Sequence, residues 1–258
     1  MRSGFMPGEL PRGIAHRGFA PDGDENTLEA FHRAVANGAD IIETDVHATA
    51  DGIALTVHDP QIRCGATGDE HTVAESRLQD LRGVRVGGLS PIPTLEDVLG
   101  DLDVPVNIDI KAEQAILPTA RAIVRAGAQD RVCLAGFTGA YPRRAAAMIT
   151  GMTGVRVRRS PSLAPMAAIR LADALELPGT DTLLRRWDAL QVPEQVRGVR
   201  VVTERLIAKA HRAGCEVHVW TVDHPGDMRR LLEMGADGII TNRIDLWNTQ
   251  VSPRVDRV

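Results

Sequence analysis

The fold is indicated most directly by three segments: Ile14-Ala-His-Arg-Gly18, Ile41-Ile-Glu-Thr-Asp-Val46 and Thr56-Val-His-Asp-Pro60. Each segment is a short apolar run of strand type that leads into polar residues. Polar side chains at strand ends are typical of the edge where a barrel or an open parallel sheet builds its site. The segments therefore predict an α/β protein whose site lies at one end of a parallel sheet.

Outward from these segments, strand and helix patterns alternate along the chain. The predicted strands cover residues 13–16, 40–46, 104–110, 132–137, 155–158, 189–192, 217–222 and 238–241. These eight β-α units in 258 residues fit a (β/α)₈ TIM barrel, a fold that takes roughly 250 residues. We therefore expect one TIM-barrel domain over residues 1–258, although residues 200–202 could also be extended.

Capping signals place the helices between these strands. Asn26 and Glu29 stand at capping-box spacing before the first helix, Asn37-Gly38 ends it, and Thr94 is a cap for the next. Further helices are predicted near residues 113–126, 143–149, 164–176, 203–213 and 227–234.

A β-hairpin interrupts the barrel pattern after the second strand. The turn signal Thr49-Ala-Asp-Gly52 separates residues 40–46 from a second extended run, residues 53–57. Only about six residues join the two runs, which is too short for a parallel crossover. The return strand would bring His58 back towards the end of the second strand. Residues 61–89, which are polar and glycine-rich, are expected to form a small insertion over the active site.

The composition argues against several classes of protein. The net charge of −4 offers no basic surface for nucleic acid, and 3 % aromatic residues argue against base stacking. No apolar run approaches the ~20 residues that span a bilayer, and residues 1–12 lack the pattern of a signal peptide. Three widely spaced cysteines, Cys64, Cys133 and Cys215, fit a reducing compartment, so we expect a cytoplasmic protein.

The predicted strand ends collect a set of chemically active side chains: His16, Arg17, Glu43, Asp45, His58, Asp109, Lys111 and Trp220. Two histidines can act as acid and base near neutral pH. Glu43 and Asp45 share a strand face, where they repel unless a cation such as Mg²⁺ or Ca²⁺ lies between them. The set suits a phosphate ester held by a divalent cation.

Each of these residues also has a purely structural alternative. A strand-end histidine can be a satisfied hydrogen-bonding residue, and the acidic pair can be a solvated strand end. Asp109 and Lys111 could form a surface ion pair, and Trp220 could pack as a wall of the core. The convergence of all of them on one end of one barrel favours the functional interpretation.

The sequence resembles the glycerophosphodiester phosphodiesterase family, a PLC-like TIM-barrel group. The resemblance rests on motifs in a fixed order: His16-Arg-Gly18, Glu25-Asn-Thr27, Gly38-Ala-Asp40, Glu43-Thr-Asp45, Asp51-Gly52, His58-Asp59, Pro93-Thr-Leu-Glu96, Lys111, Trp220-Thr221 and Gly235-Ala-Asp-Gly-Ile-Ile-Thr241. His-Arg-Gly alone is a weak signal, whereas the ordered set is a strong one.

The resemblance implies roles for these residues. Glu43 and Asp45 match the family's metal ligands, and Asp109, two residues before Lys111, matches a third acidic ligand. His16 and His58 match the acid-base pair, and Arg17 matches a phosphate-binding residue. Lys111 would join Arg17 on the phosphate, and Trp220 would contact the substrate. The implied reaction is metal-dependent cleavage of a small glycerophosphodiester to glycerol 3-phosphate and an alcohol.

The sequence departs from the family pattern at three places. The third acidic ligand is usually Glu, and the shorter Asp109 reduces its reach by ~1.5 Å. Asn242 stands where the family often has Asp, and Arg243-Ile244 stand where a proline usually follows. The late departures are expected to affect the loop after the eighth strand and not the chemistry.

Two alternatives remain open on the sequence alone. One is a phosphodiesterase of the same fold that acts on a lysophospholipid or another diester, which a larger apolar mouth would favour. The other is a non-catalytic phosphate-binding barrel. The sequence does not indicate the oligomeric state.

Overall fold

Eight parallel strands form the wall of a nearly closed barrel in the computed structural model, which describes residues 5–64, 67–87, 90–138 and 140–252. In chain order they are β1 (Arg12–Ala15), β2 (Ile41–Ala48), β3 (Val106–Ile110), β4 (Val132–Ala135), β5 (Arg158–Arg159), β6 (Ala189–Pro193), β7 (Glu216–Trp220) and β8 (Gly238–Thr241). Their order in the sheet is β5-β4-β3-β2-β1-β8-β7-β6. The prediction of a TIM barrel is confirmed.

The seam of the barrel lies between β5 and β6. The fifth strand was predicted at residues 155–158 but comprises only Arg158–Arg159. No strand ladder joins it to β6 within the described chain; instead the backbone N–H of Asp188 donates to the Arg159 carbonyl at 3.1 Å. The Asp188 carboxylate accepts in return from the Arg159 backbone N–H at 3.0 Å. At this seam the Asp188 carboxylate therefore accepts a hydrogen bond that a strand carbonyl would accept in a regular ladder.

Helices surround the barrel, apart from one four-residue helix that lies in the insertion. They are α1 (Leu28–Ala36), α2 (Leu78–Leu81), α3 (Leu95–Asp101), α4 (Ile116–Arg125), α5 (Tyr141–Thr153), α6 (Leu163–Ala174), α7 (Thr180–Leu184), α8 (Glu204–Ala213), α9 (Pro225–Glu233) and α10 (Ile244–Leu246). In α8, for example, Leu206, Ile207 and Ala210 are buried at helical spacing, which directs that face towards the sheet.

Two threonines cap the helices that flank the hairpin. The predicted cap Thr94 is confirmed, because its side chain accepts from the Asp97 N–H. For α1 the predicted cap Asn26 is wrong by one residue: the Thr27 side chain accepts from the Ala30 N–H. Either side chain can cap a helix, and Asn26 has a different task at the site.

The hairpin after β2 is present as predicted. Residues Ala54–Thr56 pair antiparallel with β2, with Thr56 opposite Val46. The insertion that follows contains two short antiparallel pairs, Gln61–Arg63 with Glu70–Thr72 and Arg85–Val86 with Ser90–Pro91, where little strand had been expected. Its predicted span includes residues 65, 66, 88 and 89, which lie outside the described residues, as do residues 1–4 and 253–258 of the expected domain.

A buried polar cluster closes the bottom of the barrel, at the opposite end from the predicted site. Arg12 Nε lies 2.9 Å from Glu216 Oε2, and His218 Nε2 lies 3.0 Å from the same oxygen. These contacts hold the pKa of Glu216 at about 2; burial acts to raise it, but the hydrogen bonds from His218 and Arg12 outweigh burial.

Among the described helices, none has the length and apolar character needed to cross a membrane.

Candidate active site

The first loop of the site, directly after β1, is a turn with left-handed backbone conformation at Arg17 and Gly18. Arg17 has φ 56° and Gly18 has φ 84°, a region that only glycine adopts freely. A Cβ at Gly18 would also lie 2.8 Å from the Ala30 backbone, so glycine is required there. The turn directs the Arg17 backbone N–H to Glu43 Oε2, at 3.0 Å. The His-Arg-Gly motif thereby anchors the first loop to a side chain of β2.

Glu43 and Asp45 on β2 meet Asp109 on β3 in one carboxylate cluster. Asp45 and Asp109 are direct partners in the parallel register, so their side chains leave the sheet side by side. One oxygen from each of the three carboxylates lies within 4.8 Å of the others. The shorter Asp109 side chain therefore still reaches the cluster. Its Oδ1 is buried and has no hydrogen-bond partner within the described chain.

Burial and mutual repulsion shift the pKa values in this carboxylate cluster. Burial, followed by the charges of Asp45 and Asp109, raises the pKa of Glu43 well above its usual value. Burial also raises the pKa of Asp109, against the opposing effect of Lys111. Burial acts to raise the pKa of Asp45 too, but Lys111 and Arg17 outweigh it and hold that pKa below its usual value. Asp45 is thus the carboxylate that the two cations neutralise most directly.

Within the described chain, two basic side chains form ion pairs with the carboxylates of the site. Lys111 Nζ lies 2.7 Å from both Asp45 Oδ1 and Asp109 Oδ2. Arg17 lies 2.9 Å from Asp45 through Nε and 2.9 Å from Glu25 through Nη1. The carboxylate cluster and Glu25 together are four carboxylates against these two cations, so two negative charges remain when all four are ionised. That deficit, the unpartnered oxygen of Asp109 and the all-oxygen donor set fit a divalent cation.

A hydrogen-bonded chain fixes the ring of His16. His16 Nδ1 lies 2.8 Å from Asn242 Oδ1. The Asn242 amide donates through Nδ2 to Asp223 Oδ2 at 2.9 Å, and its backbone N–H donates to Asp223 Oδ1 at 2.8 Å. A rotated amide would place Oδ1 against a carboxylate, so the amide oxygen must face the ring. Neutral His16 therefore carries its proton on Nδ1 and leaves Nε2 free.

This contact corrects one sequence-based expectation. Asn242 was expected to affect only the loop after the eighth strand, but its side chain contacts one of the two predicted acid-base residues. Burial, with a smaller effect from Arg17, lowers the pKa of His16 below its usual 6.5, although Asn242 acts in the opposite direction. His16 is therefore expected to remain neutral at physiological pH.

His58 reaches the same cavity from the hairpin. Its Nδ1 lies 2.7 Å from Asp59 Oδ1, which leaves Nε2 as the other position for a proton. The backbone carbonyl of His58 lies 3.1 Å from Nε2 of His47, a buried residue of β2. A carbonyl can only accept, so His47 carries its proton on Nε2 in this contact. His47, which the sequence analysis did not single out, holds the hairpin strand against β2 next to His58.

Asn26 is a second residue that the sequence analysis missed. It is buried, and its Nδ2 donates to Asp45 Oδ2 at 3.1 Å. Its Oδ1 accepts from Thr44 Oγ1 at 2.8 Å and from the Asp45 backbone N–H at 3.2 Å. Asn26 thus orients Asp45, and its signal was its place in the Glu25-Asn-Thr27 motif.

All eight predicted site residues line one cavity of about 730 Å³. The polar groups described above occupy one part of it. The rest of the wall is largely apolar and includes Phe137, Leu163, Met166, Val196 and Trp220. Phe137 and Trp220 contact each other edge to face, with ring centroids 5.5 Å apart. Within 61–64 and 67–87, no residue of the insertion lines this cavity.

Comparison with known proteins agrees with the resemblance. The profile of the glycerophosphoryl diester phosphodiesterase family matches residues 16–246. The "probable glycerophosphodiester phosphodiesterase 2" of Mycobacterium tuberculosis is 39 % identical over 235 residues, which cover 90 % of this chain and 88 % of the relative. A glycerophosphodiester phosphodiesterase of Caldanaerobacter subterraneus is 30 % identical over 89 % of this chain and 93 % of its own.

A solved structure shows the same fold. A phosphodiesterase of Oleispira antarctica in complex with the product sn-glycerol-3-phosphate superposes with a TM-score of 0.70. It is 20 % identical, and the match covers 92 % of this chain and 94 % of that one. With the profile match over most of its length and a relative at 39 % identity, this chain belongs to the glycerophosphoryl diester phosphodiesterase family and is an enzyme.

Proposed function

We propose that this enzyme hydrolyses small glycerophosphodiesters to glycerol 3-phosphate and an alcohol. The observation that carries the proposal is the convergence of two histidines, two cations and three carboxylates in one cavity. Each group corresponds to a need of the reaction: proton transfer, binding of the anionic phosphate, and a site for a divalent cation. Family membership gives the same class of reaction.

The two histidines transfer the protons. In the first step His16 Nε2 takes the proton of a glycerol hydroxyl while that oxygen attacks phosphorus. The bond from phosphorus to the alcohol oxygen breaks, and His58 donates a proton to the departing alcohol. Water then opens the resulting cyclic phosphate, with the two histidines in reversed roles. The fixed Nδ1 proton of His16, set by Asn242, supports His16 as the first base.

Arg17 and Lys111 bind the phosphate in this scheme. Both lie in the cavity wall and both are held in position by carboxylates of the site. The guanidinium offers a planar set of donors to two oxygens, whereas the ammonium provides a compact charge. Their ion pairs with Asp45 keep them extended before the substrate arrives.

The carboxylate cluster would hold a divalent cation, Mg²⁺ or Ca²⁺, which would draw negative charge from the phosphate and lower its repulsion of the attacking oxygen. Calorimetric titration of Mg²⁺, Ca²⁺ and Mn²⁺ tests this assignment without relying on activity. Glu43→Gln should weaken binding, whereas Glu96→Gln, at a carboxylate outside the cavity, is the matched control. Asp109→Glu should keep or raise affinity, and a collapse of binding would show that the site is built around the shorter side chain.

The reaction is tested by measuring glycerol 3-phosphate released from a panel of diesters, with and without each metal. We expect metal-dependent turnover of glycerophosphocholine or a related small diester. Full activity in excess chelator would contradict the role of the carboxylate cluster. Absence of turnover with every diester and metal would contradict the reaction itself.

A second candidate substrate is a lysophospholipid, because the cavity has the apolar wall that such a diester needs. Phe137, Met166 and Val196 belong to this wall. If an acyl chain binds there, Phe137→Ser should reduce kcat/KM for a lysophospholipid more than for glycerophosphocholine. Equal losses for both substrates would show that the wall does not contact the chain.

A further inference from the structure

The solvent-facing side of α6 is apolar throughout. Its exposed residues are all leucine or alanine, and Leu163 and Leu171 are 62 % and 61 % exposed. The only charged residues of the helix are Arg170 and the buried Asp173, which form an ion pair at 2.9 Å. A helix that is apolar on every side normally has protein or lipid around it. The exposed side of α6 therefore lacks the solvated charges that a water-facing helix carries.

The exposed apolar side of α6 continues onto a second hairpin, the one that follows β6. The hairpin pairs Gln195–Val196 with Val199–Arg200, and Val199 is 66 % exposed. Arg170 Nη2 donates to the Arg200 carbonyl at 3.1 Å, which joins α6 to the hairpin. At the N-terminal end of α6, the Leu163 N–H donates to the Phe137 carbonyl at 3.1 Å, which joins the helix to the loop after β4.

We call this surface the docking face and define it by Phe137, Leu163, Leu171, Val196 and Val199. It borders the catalytic cavity directly, because Phe137, Leu163 and Val196 also line that cavity. A molecule covering the docking face would therefore cover the mouth of the active site.

Three arginines that form no ion pair with a described residue flank the docking face on one side. A second cavity, of about 530 Å³, lies between α5 and α6 and is lined by Arg143, Arg159 and Arg186. No acidic side chain lines it among the described residues. Arg159 stacks on Trp187, with its guanidinium 5.1 Å from the ring centroid. Burial and the neighbouring arginines lower the pKa of Arg159, against the pull of Asp188, so the cluster is short of negative charge.

Arginines also flank the docking face on the hairpin side. Arg197 and Arg200 are exposed, and neither is in an ion pair with a described residue. The nearby acidic residues are already paired: Glu194 with Arg230, and Glu176 with Arg205. The face thus has an apolar centre and two basic flanks on a chain whose net charge is −4.

We propose that the docking face lies on the surface of an anionic phospholipid bilayer, with its leucines and valines among the acyl chains and its arginines on the lipid phosphates. An anionic bilayer matches both features of the docking face: the acyl chains suit its apolar centre, and the lipid phosphates suit its basic flanks. Self-association is a poorer match, since pairing two copies through this face would bring basic flanks against each other. The proposal goes beyond the hydrolytic reaction and does not depend on it.

Sedimentation of the whole protein with vesicles tests the proposal. One set of vesicles contains phosphatidylcholine alone, and the other contains equal parts of phosphatidylcholine and phosphatidylglycerol. The test variants are Leu171→Asp for the apolar centre and, made separately, Arg143→Gln and Arg186→Gln for one flank. Matched controls on α4 are Leu117→Asp and Arg121→Gln, at exposed positions that line neither cavity. Melting temperatures verify that every variant is folded.

We expect wild type to bind the phosphatidylglycerol vesicles and to be released by high salt. Leu171→Asp should weaken that binding about tenfold or more, and each arginine change about fivefold, while both controls bind like wild type. Wild type that binds neither kind of vesicle would overturn the proposal. So would an equal loss in Leu117→Asp and Leu171→Asp, or a dimer in solution that Leu171→Asp dissociates.

Discussion

Replacing Asn242 by leucine tests whether the hydrogen bonds that link Asp223, Asn242 and His16 fix the tautomer of His16, the proposed base. The leucine side chain has nearly the same size but cannot accept the Nδ1 proton of His16. The ring would lose the 2.8 Å contact and with it the group that favours one tautomer. The carboxylate cluster is untouched, because the hydrogen bonds of Asn242 within the described chain go to His16 and Asp223 and not to Glu43, Asp45 or Asp109.

Asn242→Leu removes two side-chain hydrogen bonds, one to His16 and one to Asp223, and the expected effect on the rate follows from the one to His16. A hydrogen bond contributes a net ~0.5–1.5 kcal/mol, so kcat/KM should fall by roughly 2- to 13-fold. Removing the imidazole itself in His16→Ala should cost much more, on the order of 10² to 10⁴ in rate. A positioning residue is thus expected to have a smaller effect than the group it positions.

The assay combines kinetics with ¹⁵N NMR of labelled histidine. In wild type the His16 signals should show a proton on Nδ1, and in Asn242→Leu they should show a mixture of tautomers. Asn248→Leu, the same change at a residue outside the cavity, is the control. Wild-type kcat/KM together with an unchanged tautomer in Asn242→Leu would refute the reasoning.

The pH dependence gives an independent check on the same residue. A base must be deprotonated, and burial lowers the pKa of His16 below 6.5, so the acid limb of kcat/KM should lie below pH 6.5. Asn242→Asp would place a carboxylate beside the ring and raise that pKa. The protonated form would then persist to higher pH, and the acid limb should move upward. A downward shift would contradict this account.

Further predictions concern the metal, the phosphate, the acid and stability. Chelation should abolish turnover, and Glu43→Gln should weaken metal binding by at least about tenfold in calorimetry. Arg17→Lys should lower kcat/KM although charge is kept, because an ammonium cannot replace a two-point contact; no change would identify Arg17 as a structural partner of the carboxylates. His58→Ala should lose about 10² to 10⁴ in rate on glycerophosphocholine but little on a nitrophenyl diester, whose leaving group needs no proton. Glu216 has a pKa of about 2 in the fold against 4.5 when unfolded, so its stabilisation is complete above pH 4.5 and is lost as pH falls towards 2. That loss is roughly 3 kcal/mol, measurable by denaturant unfolding across this range, and Glu216→Gln should abolish it.

The sequence by itself determined the barrel and most of the site. Every barrel strand except the two-residue β5 contains apolar residues, and the helices around the barrel have apolar faces. Local patterns were therefore enough to place β2, the hairpin and the eight-strand count. His16 and Glu43 could be placed at the mouth for a related reason. In a parallel barrel every strand runs in the same direction, so residues after strand ends must meet at one end.

The tertiary structure alone decided which side chains touch. Asn242 contacts His16 across 226 positions of sequence, because β1 and β8 become neighbours only when the barrel closes. Asn26 has the local pattern of a helix cap, yet its buried position makes it a partner of Asp45, and Thr27 takes the cap instead. The short β5 likewise depends on a distant side chain, that of Asp188. Local periodicity determines which segments are strands and helices, but hydrogen-bond partners and exposed faces depend on which distant segments pack together.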